Sequence, residues 1–149
     1  MREALKEAQI ALEKKEVPVG AVVVKDKKII GRGHNQIESL KDPTAHAELI
    51  AITSAANTLN NWRLNNATLY VTVESCPMCA GAIMLSRISK CVFGTIDKRV
   101  GSLGTVYKIK NAKMKIVSGV LESECRAILQ KFFKNLRKEL KLDLYFSNG

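Results

Sequence analysis

Cys76-Pro77-Met78-Cys79 follows almost directly on Leu69-Tyr70-Val71-Thr72-Val73, and this junction constrains the fold more than any other part of the chain. The aromatic and β-branched run reads as a strand. Proline fixes φ near its helical value and lacks the amide that a first helical turn leaves unpaired, so Pro77 starts a helix. Strand, short bend and helix must therefore follow one another here. Residues three apart on a helix face the same way. The positive end of the helix dipole favours thiolates there, and two thiolates so held suit a tetrahedral zinc ion. A redox C-x-x-C is the competing reading.

The other elements fall into place around this junction. Met1 to Glu16 reads as an amphipathic helix with Leu5, Ala8 and Leu12 on its apolar face, ended by Val17-Pro18-Val19-Gly20. Ala21 to Val24 and Lys28 to Arg32 form a hairpin across Asp26-Lys27. Gly33 to Thr44 is a loop, and Asp42-Pro43-Thr44 offers helix-start chemistry for a helix reaching about Asn57. Cys91 to Thr95 and Met114 to Val117 are strands. From about Leu121 a basic amphipathic helix runs towards Lys141, with Ile128, Leu129, Phe132, Phe133 and Leu136 on its apolar side. A hairpin followed by alternating strands and helices predicts an α/β fold, a partly parallel sheet covered on both faces. The 149 residues carry no repeat or low-complexity linker and are expected to form one domain, 1–149. No stretch approaches the roughly 20 apolar residues of a membrane span, and no signal peptide is expected, which points to the cytoplasm. The isolated Cys91 and Cys125 sit in apolar patterns and read as core.

Two cysteines leave zinc short of ligands. His46, in Thr44-Ala45-His46-Ala47-Glu48, supplies a third from the start of a different helix. Three protein ligands and an open position are the signature of catalytic zinc. Glu48 stands two residues on, roughly 200° around a helix. It is therefore not a second stacked ligand but is suited to take a proton from the metal-activated water and deliver protons to a ring nitrogen and a leaving amine. The formal charge of +10 favours a polyanionic partner, although a lysine-rich surface alone would give the same figure.

H-x-E and C-x-x-C on two helix starts resemble the zinc-dependent cytidine/deoxycytidylate deaminase superfamily, for which this chemistry is already established. The longer match is to the bacterial tRNA-specific adenosine deaminases. It is carried by Glu16-Val17-Pro18-Val19-Gly20-Ala21, Asp42 to Glu48, Asn61-Trp62-Arg63-Leu64, Leu69 to Val73, Cys76 to Ala82, Leu85-Ser86-Arg87-Ile88, Glu124-Cys125 and Phe132-Phe133. The resemblance implies a three-layer α/β/α cytidine-deaminase-like fold with a central mixed five-stranded sheet. It implies a homodimer with one Zn2+ per subunit on His46, Cys76 and Cys79, and Glu48 as proton shuttle. The substrate it implies is the wobble adenosine of a tRNA anticodon stem-loop, flipped out of the loop and hydrolysed to inosine. Asn35 and Ala47 would bind the purine; Lys131, Phe133, Lys134, Arg137 and Lys138 on the last helix would contact RNA. His34 is expected at the surface or facing RNA.

Two positions depart from the family. Ser75 stands where proline usually precedes the first cysteine, and is expected to alter the loop or cap the helix. Between Gly104 and Val117 the usual longer connection is replaced by a lysine-rich segment, Lys108 to Lys115, expected to line the substrate groove. Two other functions share these residues: a free-base deaminase acting on guanine, and a non-catalytic RNA-binding subunit with a structural zinc.

Overall fold

The computed structural model describes residues 1–147, and side chains as far as Lys141. The chain runs α1 (Arg2–Glu13), β1 (Gly20–Lys25), β2 (Lys28–His34), α2 (Ile37–Leu40), α3 (Ala47–Leu59), β3 (Thr68–Val73), α4 (Pro77–Leu85), β4 (Lys90–Thr95), β5 (Lys115–Val117) and α5 (Glu122–Ser147). The strands form one five-stranded sheet in the order β2-β1-β3-β4-β5. β1 is antiparallel to β2 and β3, whereas β3, β4 and β5 are parallel. Helices α1 and α5 contact each other over one face, and α3 and α4 over the other. This is the mixed α/β/α arrangement of the cytidine-deaminase-like fold.

Small residues set how closely the helices sit. A Cβ at Gly31 or Gly33 would collide with the carbonyl of Ala51 or Ala47, and one at Gly20 with the carbonyl of Ala4. Ala51 and Ala55 of α3 thus rest directly on β2, and Ala4 and Ala8 of α1 on β1. The buried face of α1 is accordingly Ala4, Glu7, Ala8 and Ala11, not the Leu5–Leu12 face expected from hydropathy; both leucines are only half-buried. Larger side chains fill the middle. Leu64, Leu69, Ile83 and Ile88 are fully or almost fully buried, each contributing about 1.5–3 kcal/mol by leaving water.

Helix α3 begins at Ala47, later than Asp42-Pro43-Thr44 suggests. The Asp42 carboxylate instead accepts the Thr44 amide at 2.8 Å and its hydroxyl at 2.7 Å, closing a local turn. The expected loop before it also contains the single turn α2. Among the described residues no helix is long and apolar enough to cross a membrane.

Candidate active site

Two helix N-termini meet beyond the carboxyl end of β3, where open α/β sheets place their ligands. His46 is the N-cap of α3 and Cys76 the N-cap of α4, both extended in backbone and neither capping its helix with its side chain. An N-cap side chain ordinarily satisfies the free amides of the first turn. Here that place is given to a histidine and a cysteine, and the capping of α3 comes from elsewhere: the Asn35 side-chain carbonyl accepts the Ala47 amide at 2.9 Å.

The Nδ1 of His46 lies 3.6 Å from Cys76 Sγ and 3.4 Å from Cys79 Sγ. The ligand atoms of all three residues fall within 4.8 Å of one another, so the donor set and spacing fit a metal ion. The hydrogen bond from the Cys79 thiol, with further help from His46, holds the Cys76 thiol down at about 4. The bond to Cys76 raises His46. Cys79 is pushed up, first by its bond to Cys76 and then by burial. Cys91 and Cys125 are buried away from the cluster; burial lifts both, Cys125 to about 11. They belong to the packing.

Glu48, in the first turn of α3, is 4 % exposed. Burial pushes its carboxyl above the usual range. It shares a cavity of about 180 Å³ with Asn35, His46, Cys76, Glu74, Asp97, Arg99 and Val100. Val73, Asp97 and Arg99 also line a much wider cleft of about 930 Å³, walled by Lys98, Arg126, Gln130, Phe133 and Arg137. A small cup therefore opens into a basic trough between the end of β4 and α5.

The structure gathers His46, Cys76, Cys79, Glu48 and Asn35 around the cup, and places Phe133 and Arg137 on the trough wall. Lys131, Lys134 and Lys138 stand exposed on α5 and do not line the trough. Ala47 is fully buried with its amide bonded to Asn35, so it is not presented to the cup. His34 faces neither cup nor trough: its Nδ1 meets the Glu7 carboxylate at 2.9 Å beneath α1. The Lys108 to Lys115 segment does not line the cavity either; Asp97 to Val100 does. Ser75 does not cap α4, since Cys76 holds that position; its hydroxyl donates to Glu48.

Glu74, Lys98, Arg99 and Arg126 carry no sequence signal beyond their type. Glu74 is 3 % exposed. Its carboxylate accepts amides of Asp97, Leu103 and Thr105 at 3.2, 3.0 and 3.1 Å and the Thr105 hydroxyl at 2.6 Å. It thereby fixes the loop that forms one wall of the cup. A carboxylate at the end of a buried strand, two residues before the first cysteine of C-x-x-C, is the only hint the sequence offers for Glu74.

A MafB19-like deaminase family model matches residues 1–137. The chain is 50 % identical over 146 residues to the tRNA-specific adenosine deaminase of Bacillus subtilis, covering 95 % of this chain and 91 % of that one. A solved structure from a study of A-to-I editing by tRNA:A34 deaminases at the wobble position superposes with a TM-score of 0.83 at 41 % identity, over 87 % of this chain and 97 % of the other. A guanine deaminase from Bacillus subtilis matches less extensively, with a TM-score of 0.61 at 37 % identity over 64 % of this chain and 61 % of its own.

Proposed function

The chain belongs to the MafB19-like deaminase family and, within it, to the tRNA-specific adenosine deaminases, and from that membership we propose that it hydrolyses the wobble adenosine of a tRNA anticodon to inosine. The observation that carries this reading is the meeting, in one small cup, of the His46–Cys76–Cys79 cluster with the buried Glu48 carboxylate. Among the described residues the cluster has no fourth member. Three nitrogen and sulfur donors with an open position suit zinc, one ion per subunit. Bound there, zinc supplies an activated water.

The rest is done by the chain itself. Glu48 would take one proton from a water whose oxygen bonds the amine-bearing ring carbon and pass it to the ring nitrogen; it would then carry the second proton from that oxygen to the amine, so that the C–N bond breaks, ammonia leaves and a carbonyl remains. A carboxyl raised by burial suits a group that must both take and give a proton. Asn35 commits its carbonyl to α3 and keeps its amide group to donate to a purine acceptor. A cup of about 180 Å³ has room for one base, not for a stacked strand, so the nucleotide enters flipped out. The trough then takes the flanking nucleotides. Lys98, Arg99, Arg126 and Arg137 face phosphates and Phe133 offers a stacking surface, while Lys131, Lys134 and Lys138 extend the basic field along α5.

A homodimer is part of the same reading: α4 leaves Met78 and Leu85 exposed, the latter by 69 %, apolar surface that a second copy would cover. A cytoplasmic location belongs to the same reading and is supported by the likeness to bacterial tRNA-specific adenosine deaminases. Guanine as substrate is supported by a shorter and looser likeness, and a purely scaffolding role leaves the buried Glu48 without a purpose. The deciding experiment is inosine formation in a tRNA transcript with adenosine at the wobble position, comparing the unaltered chain with Glu48→Ala. Inosine at that position alone, lost in the variant while zinc stays bound, is the expected result. A folded, zinc-loaded chain that leaves the transcript unchanged but deaminates guanine would overturn it.

A further inference from the structure

Ser75 joins the end of β3 to Cys76. Its side chain is 1 % exposed, and its hydroxyl donates to Glu48 Oε1 at 2.8 Å. The backbone that carries that hydroxyl is fixed without help from Glu48. On one side the Glu74 amide bonds the Thr95 carbonyl at 2.8 Å; the Ser75 carbonyl itself accepts the Ser102 amide at 2.9 Å. On the other side Cys76 is fixed as the N-cap of α4. The donor is therefore mounted on rigid backbone, whereas the carboxylate it meets comes from α3 on a side chain with several rotatable bonds. The Cys79 thiol also reaches the Glu48 carboxylate, but a thiol is a weaker donor than a hydroxyl.

We propose that Ser75 is a positioning residue, whose hydroxyl holds the Glu48 carboxylate in one orientation facing the His46–Cys76–Cys79 cluster. With Oε1 tied to Ser75, the carboxylate cannot swing away from the cup, and Oε2 is left for the proton being moved. A proton carrier misplaced by even a small amount loses rate steeply. The consequence for rate rests on the deaminase reading; the link between the two side chains rests on geometry alone.

Two measurements separate these. The first needs no activity: a double-mutant cycle on urea unfolding of the full chain, with Ser75→Ala, Glu48→Ala and both. Ser75→Ala is expected to lower the folding equilibrium constant about tenfold when Glu48 is present, and far less when it is absent. Equal losses in both backgrounds overturn the proposal. The second is inosine formation at matched zinc content. Ser75→Ala is expected to lower kcat about tenfold with KM within about twofold, because orientation and not binding is lost. Ser75→Thr, which keeps the hydroxyl, recovers most of the rate. An unchanged kcat in Ser75→Ala, or equal kcat losses in folded Ala and Thr variants, overturns the positioning role. A chain that forms no inosine yet shows the coupling would refute the substrate and uphold the Ser75–Glu48 link.

Discussion

Glu48 and Glu74 each stand two residues from a proposed metal ligand, and both are buried, 4 % and 3 % exposed. The regions around them use a carboxylate in opposite ways. Glu74 has both oxygens committed: the Leu103 and Thr105 amides bond Oε1, and the Asp97 amide and Thr105 hydroxyl bond Oε2. Glu48 accepts the Ser75 hydroxyl and is otherwise reached by the weakly donating Cys79 thiol, and burial pushes its carboxyl up. Burial alone therefore does not make a carboxylate reactive. Donors that satisfy its charged form fix it in place as structure; too few of them leave it able to gain a proton.

Glu48→Gln is the sharpest test of that contrast. The amide keeps the shape but cannot carry the proton, so inosine formation is expected to fall by about 10²–10⁴-fold or more. Zinc content should stay at one ion per subunit, with thermal stability at least as high as before, since an ionisable group has left a buried site. More than about a tenth of the original rate would mean that some other group moves the proton. Glu74→Gln should do the reverse. An amide in that pocket turns a donor towards the donors at one of the two oxygens, leaving either the part-buried Asp97 amide or the Leu103 and Thr105 amides without an acceptor, at about 1–3 kcal/mol where the amide is buried. A lower melting temperature is expected, with KM for tRNA rising more than kcat falls, because Asp97, Arg99 and Val100 wall the cup from that loop. A kcat collapse with melting temperature and KM unchanged would erase the distinction between the two residues.

The sequence makes some of this legible and hides the rest for identifiable reasons. Pro77 between Cys76 and Cys79 marks a helix start to the residue, because proline's constraint is local; α4 indeed opens at Pro77. Asp42-Pro43-Thr44 also looks like a start, but its capping chemistry is absorbed by its own turn, while the true cap of α3 is Asn35, twelve residues upstream. Nothing local announces such a bond. Hydropathy favours the Leu5, Ala8 and Leu12 face of α1, yet of these only Ala8 is buried, with Ala4, Glu7 and Ala11, because Gly20 draws the Ala4–Ala8 turn close against β1. The metal cluster and Glu48 are readable as residue types at a known spacing. Glu74 and Ser75 are not, since their roles lie in where the side chain points. The Lys108 to Lys115 segment misleads in the opposite sense: its charge suggests a groove wall, but the β4–β5 connection brings Asp97 to Val100 there instead.

A third buried carboxylate extends the comparison at the smallest scale. Glu16, 2 % exposed, accepts the Ser39 amide and hydroxyl, each at 2.7 Å, and the Glu38 amide at 3.1 Å, tying the end of α1 to α2. Burial pulls its carboxyl up, but the Ser39 hydroxyl and the two amides outweigh it and hold the group below the usual glutamate range. A carboxyl depressed in the folded state binds its proton more readily once unfolded. Its contribution to stability is therefore full above the unfolded value of about 4.3, and is lost as pH falls through the folded value. Glu16→Gln removes that dependence. The gap in melting temperature between the unaltered chain and the variant is expected to be widest near neutrality and to narrow steadily below about pH 4. A gap that stayed constant across that window would mean that Glu16 acts through shape and not through charge. Depressed by its donors, Glu16 would then no longer stand with Glu74 as the counterpart of the sparsely bonded Glu48.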